Sequence, residues 1–93
     1  MRVRLGGHPF TIRIVPQLLD HGSCEITQCR NGKVRRVIRL AAWNTPRQML
    51  GTAVHEAIHA SRPDLSESEV RALEADVARL LWALGCRLPS DQR

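Results

Sequence analysis

At 93 residues the chain has room for one domain with one modest core and none for a separate substrate domain. Lys and Arg outnumber Asp and Glu by 14 to 9, a formal net charge of +5 that favours acidic partners, nucleic acid among them. With Phe10, Trp43 and Trp82 as the only large aromatics, a stacking platform for single-stranded nucleic acid is poorly supplied.

No apolar run approaches the ~20 residues of a membrane span. Residues 1–20 lack the continuous apolar core of a secretory signal and carry Arg2, Arg4 and Arg13. The odd set of cysteines, Cys24, Cys29 and Cys86, reads as reduced thiols in a cytoplasmic protein.

In chain order, Arg2-Val3-Arg4-Leu5 alternates, Gly6-Gly7 turns, and Phe10 to Val15 alternates again, the pattern of a β-hairpin. Phe10, Ile12 and Ile14 fall on one face of the second strand, and Pro16 ends it. Residues 17–23 read as a loop containing Asp20, His21 and Gly22. Cys24 to Gln28 and Val34 to Leu40 read as a second hairpin about the Asn31-Gly32 turn. Arg30, Lys33, Arg35, Arg36 and Arg39 make that hairpin basic, read as a solvated sheet face before a nucleic-acid site. Cys24 and Cys29, if on one strand, point to opposite faces and do not suit a structural zinc site.

From Thr45 the period changes from two to 3.6. Thr45-Pro46-Arg47-Gln48 is a helix start, with Thr as N-cap, Pro in the first position and Gln three after the cap. Met49, Leu50, Ala53, Val54, Ala57 and Ile58 form an apolar stripe, while Gln48, Thr52, His55 and His59 form a polar face. Arg62-Pro63 closes this helix. Ser66 and Glu69 open a second as a capping box, and Val70, Leu73, Val77, Leu80, Leu81 and Leu84 carry a stripe to Gly85. The short connection predicts antiparallel packing. The expected fold is α+β: one domain over residues 1–93, with four strands in two hairpins over about 2–40, then helices over about 46–61 and 67–84 on one face of the sheet.

The first of these helices holds His55-Glu56-Ala57-Ile58-His59. Residues four apart share a helix face, so His55 and His59 can offer two imidazoles to one metal ion, with Glu56 beside it as a general base on activated water. Catalytic zinc takes three protein ligands, and the second helix is placed to supply the third. Glu69 already has a use as the partner of the Ser66 cap, and Asp64 and Asp76 are weaker candidates. Glu67 and Glu74, seven apart, share a face and are not separated by spacing. His8 and His21 are loop histidines, and Trp43 and Trp82 read as packing residues.

Four short strands, the motif helix and a helix bearing a further Glu resemble the minigluzincins, very small gluzincin-like zinc metallopeptidase domains, many encoded by phages, prophages and bacteria. The resemblance covers about Val3 to Leu84 and is strongest at Val54 to Ala60 and Asp64 to Val70. In such relatives the ligand Glu commonly stands three residues before a small apolar helix residue. Glu67-Ser68-Glu69-Val70 matches that pattern, so the resemblance favours Glu67 as third ligand over Glu74. Arg71 departs from it, standing where many relatives have Asp or Asn.

The resemblance and the motif together imply a zinc-dependent metallopeptidase with one zinc ion held by His55, His59 and Glu67, Glu56 as base, and a peptide or protein substrate paired with an edge strand, provisionally Val34 to Leu40. The rival expectation is a non-catalytic module, stabilised by zinc, whose Arg-rich sheet binds nucleic acid or an acidic protein.

Overall fold

A computed structural model describes residues 1–88; residues 89–93 of the expected domain lie outside the described residues. The elements are β1 (Arg2–Leu5), β2 (His8–Val15), β3 (Gly22–Gln28), β4 (Val34–Ala41), α1 (Pro46–Ser61) and α2 (Glu67–Ala83). This is the expected α+β order of four strands followed by two helices.

Gly6 and Gly7 both take positive φ, 58° and 82°, as a two-residue hairpin turn requires. So tight a turn pairs His8 directly with Leu5, and β2 therefore begins at His8 rather than Phe10. Pro9 is tolerated because β2 meets its second neighbour only from Thr11 onward. The second hairpin turns at Gly32, φ 84°, and pairs β3 with β4 antiparallel. Gly22 pairs with Leu40, so β3 also starts earlier than the alternation suggests.

The sheet order is β1-β2-β4-β3, and β2 runs parallel to β4. The two hairpins are thus fused through their second strands. This corrects the expectation that Val34 to Leu40 offers a free edge: β4 is interior, with backbone partners on both sides, and β1 and β3 are the edges. The reason lies in composition. In β4, Val37, Ile38, Leu40 and Ala41 are buried, so both faces of the strand carry buried side chains, whereas β3 is half polar and suits an edge.

Phe10, Ile38, Leu40 and Met49 form the buried core between one sheet face and α1. Both helices start with complete capping boxes. Thr45 Oγ1 accepts from Gln48 N at 3.2 Å while Gln48 Oε1 accepts from Thr45 N at 2.9 Å. Ser66 and Glu69 repeat the pattern at 3.2 and 2.9 Å. Contacts between the helices run in opposite chain directions: Arg47 lies over the Trp82 ring, His55 meets Glu74, and His59 meets Glu67. The helices are therefore antiparallel.

One expectation needs correction. Among the elements α2 packs on α1 and on no strand, so it forms a third layer rather than sharing the sheet. Only Val70 and Ala78 of α2 are buried, while Leu73, Val77, Leu80 and Leu84 stay exposed. A helix in an outer layer has one neighbour and can bury only the edge of its stripe that faces it. Accordingly, Phe10→Ala is expected to cost about 3–5 kcal/mol in denaturant unfolding. Leu80→Ala, at 59% exposure, should change stability by less than about 0.5 kcal/mol. Equal losses would mean that something covers the α2 face in solution.

Candidate metal centre

The polar face of α1 looks toward α2 and the start of β3. These three elements enclose an open cleft of about 580 Å³. From α1 it is lined by Thr52, His55 and Glu56, from α2 by Glu67, Arg71 and Glu74, and from the β2–β3 side by Asp20, His21 and Gly22.

His55 Nε2 and His59 Nε2 stand 3.1 Å apart, as positions four apart on one helix allow. The Glu67 carboxylate bridges them, with Oε1 2.9 Å from His55 Nε2 and Oε2 3.0 Å from His59 Nε2. Glu74 meets the other nitrogen of His55, with Oε1 2.7 Å from Nδ1. Glu74 can accept from Nδ1, and in that tautomer the Nε2 lone pair faces Glu67 and His59. Glu67 and Glu74 differ by which nitrogen each meets: Glu67 converges with both Nε2 atoms, and Glu74 meets His55 Nδ1.

Donor atoms of His55, His59 and Glu67 lie within 4.8 Å of one another and form a group that can hold a metal ion. Tetrahedral zinc with ligands at 2.0–2.2 Å separates adjacent donors by roughly 3.3–3.5 Å. The present 2.9–3.1 Å spacings would open by a few tenths of an ångström to admit it. Three electron-rich atoms facing one another call for a shared proton or a cation at their centre, and the donor set of two imidazoles and one carboxylate suits zinc.

The other acids are engaged elsewhere. Glu69 serves the Ser66 cap, Arg62 donates to both oxygens of Asp64 at 2.9 and 2.8 Å, and Asp76 pairs with Arg79 at 3.4 Å. Partial desolvation raises the Glu67 carboxyl, but His55, His59 and Arg71 outweigh it and hold it below the ordinary carboxylate range.

Glu56 differs from all of these. Its residue is 8% exposed, and its carboxyl has no hydrogen-bond or ion-pair partner among the described residues. Burial pushes it above the ordinary range; His55 and His59 pull it down, and Glu67 and Glu74 push it further up.

Two glycines make the cleft possible. A Cβ on Gly22 would overlap the Thr52 methyl and crowd the Arg39 carbonyl at 3.1 Å and the Glu56 side chain at 3.4 Å, so only Gly lets β3 begin against α1. A Cβ on Gly51 would stand 3.1 Å from Glu74 Oε2. Gly inside a helix costs about 1 kcal/mol relative to Ala, and here the missing side chain clears the path of Glu74 to His55.

His21 lines the same cleft, unlike His8, which lies at the β1–β2 turn. Asn44, 3% exposed, donates through Nδ2 to the carbonyls of His21 and Ala41 at 2.9 and 3.0 Å. Its Oδ1 then accepts from His21 Nδ1, which leaves Nε2 as the acceptor. The Trp43 ring tilts against His21 at 4.8 Å, and its Nε1 donates to Leu18 O at 2.9 Å, so Trp43 packs the rim rather than the core. Nothing in the spacing marks His21 or Asn44; they meet only through the pairing of β3 with β4. The three cysteines are unpaired, and Cys24 packs at the core's edge.

No protein-family model, curated protein or solved structure matches the chain.

These contacts predict that zinc titrated into the protein binds at one per chain and that His55→Ala and Glu67→Ala abolish uptake. Glu74→Ala should retain the stoichiometry with affinity lower by about 10–100-fold, the usual effect of losing a carboxylate that orients a ligating His. Atomic absorption and competition with a chromophoric chelator read both. A second check concerns Gly22. Gly22→Ala should destabilise the fold by about 1–3 kcal/mol, as overpacking does, and Thr52→Ser, which removes the opposing methyl, should recover part of that loss in a double-mutant cycle.

Proposed function

We propose that the protein is a minigluzincin-like zinc metallopeptidase that hydrolyses peptide bonds in a peptide or protein substrate. The observation that carries this reading is Glu56. Ligation needs His55, His59 and Glu67, and orientation needs Glu74, but neither accounts for a second carboxyl sunk in the cleft wall beside them, its oxygens open to the cleft and without a protein partner. Burying such a group costs free energy unless something pairs with it. A base that must receive a proton from water explains why the cost is tolerated.

His55, His59 and Glu67 would hold a zinc ion, which when bound would supply a Lewis acid able to bring the pKa of water to roughly 7 and to polarise the scissile carbonyl. Glu56 accepts the proton as water attacks and then donates it to the departing amine. The raised proton affinity that burial gives Glu56 suits both halves of that transfer. Glu74 keeps the His55 ring in the tautomer that presents Nε2.

The free edge of β3 starts at Gly22, in the cleft wall, so an extended substrate adding to that edge would run past Glu56. No described helix is long and apolar enough to cross a membrane. The same reading places the protein in the cytoplasm, where its three thiols stay reduced.

The test is cleavage of a mixed peptide library by zinc-loaded protein, read by mass spectrometry. Glu56→Gln should bind zinc as the parent does and lose about 10²–10⁴-fold in rate, the contribution of a positioned general base. Cleavage by the parent no faster than by Glu56→Gln would sink the peptidase reading. Zinc-dependent folding without cleavage would instead favour a module that uses the ion as a staple.

A further inference from the structure

We propose that the sheet face turned away from α1 binds the phosphate backbone of duplex nucleic acid. The inference stands apart from the metal centre, which lies on the far side of α1.

Alternation and register determine what that face carries. Arg2 pairs with Thr11, Thr11 with Val37 and Val37 with Glu25, so these four form one row across the sheet. Arg13 and Arg39 are partners in the next row, and Arg4 and Arg35 lie two residues along β1 and β4 from the first. Five arginines and one glutamate therefore share a face that no other element covers. Glu25 is committed to Arg39, and Arg4 donates to Gly7 O at 2.8 Å. Like charges side by side in a sheet are destabilising, and the arrangement gains from an external anion.

The remaining cations converge. A shallow depression of about 300 Å³ is lined by Arg2, Arg13 and Arg35 of this face and by Arg36, which alternates to the opposite face, with Thr11 and Val37 in its floor and no carboxylate. None of these four arginines has an ion-pair partner among the described residues. Three arginines of one face around one hollow match phosphate oxygens, which guanidinium groups can grip in bidentate fashion.

The face also argues for the class of polyanion. The large aromatics lie elsewhere: Phe10 is in the core, Trp43 is at the cleft rim and Trp82 is on α2. Without an aromatic anchor the face lacks the usual centre of a protein interface. Without a stacking ring it lacks the means to hold unpaired bases. Arginines on β1 and β4 are two strand spacings apart, roughly 10 Å. Long side chains adjust that span to phosphates bordering a groove about 6–12 Å wide. The contacts this face offers are to phosphate, so the binding would be independent of sequence.

The experiment is fluorescence anisotropy of a short labelled DNA duplex with the full chain, over a series of salt concentrations. The parent should bind with log K falling against log salt at a slope of about −3, as release of counterions from three phosphates requires. The triple variant Arg2→Gln/Arg13→Gln/Arg35→Gln should bind at least ~10-fold more weakly, with a slope shallower by about 2–3. Arg47→Gln/Arg79→Gln/Arg87→Gln removes the same charge from the two helices and the segment after α2 and should retain the parent's slope. Circular dichroism confirms that both variants are folded. Equal losses in the two variants would overturn the proposal, because net charge alone would then explain binding. It would also be overturned by tighter binding of a single strand, of polyglutamate or of anionic vesicles, which would assign the face to a different partner.

Discussion

The structure depends on α1 serving two surfaces at once. One side of the helix buries Met49 against the sheet, and the other presents His55 and His59 to α2. Because α2 touches no strand, its place is set by its contacts with α1 alone: Val70 and Ala78 in the apolar part, and Glu67 and Glu74 on the two histidines. Polar contacts of the candidate centre are thus also what registers the outer helix. A cation at that point would bind two elements that otherwise share a narrow apolar strip. Its binding free energy would then appear partly as stability of the outer layer, as expected for ligand groups that come together only on folding.

Local chemistry made most of the fold legible. The two capping boxes place both helix starts to the residue, because each satisfies backbone donors that would otherwise be orphaned. Gly6-Gly7 and Asn31-Gly32 place both hairpins for a similar reason, since positive φ is cheap only there. How the hairpins join is a tertiary choice that neither turn encodes. Yet the buried Val37, Ile38, Leu40 and Ala41 of β4 carry the signature of an interior strand, and the polar residues of β3 that of an edge. The apolar stripe of α2 misleads for the opposite reason. Periodicity shows that a helix has an apolar face but not how many neighbours come to cover it.

At the candidate centre, the spacing of His55 and His59 is enough to bring their rings together, because the helix supplies the geometry. Choosing between Glu67 and Glu74 is beyond spacing. Two turns of helix separate them, and both carboxylates reach the same imidazole, on opposite nitrogens. Their functions differ by which ring atom they touch, and that depends on how α2 crosses α1. The His21–Asn44 pair is hidden in another way. Asn44 reads as a residue before a helix cap, and only the Gly22–Leu40 pairing brings the preceding His21 beside it.

Arg71 gives the clearest view of how so small a body keeps such a centre. Four residues after Glu67 it faces the same cleft, and as a cation it cannot accept the Nδ1 proton of His55. It turns instead to Glu67 Oε1 at 3.4 Å, where it offsets the negative charge of that carboxylate. The acceptor for His55 comes from Glu74, one turn further on, and a side chain from there must pass over α1 to arrive. Gly51 is what lets it pass, since a Cβ at that position would crowd the Glu74 carboxylate. Glycine at mid-helix is locally unfavourable. Glu74 and Gly51 act together, the reach of the carboxylate being matched by the missing side chain on α1.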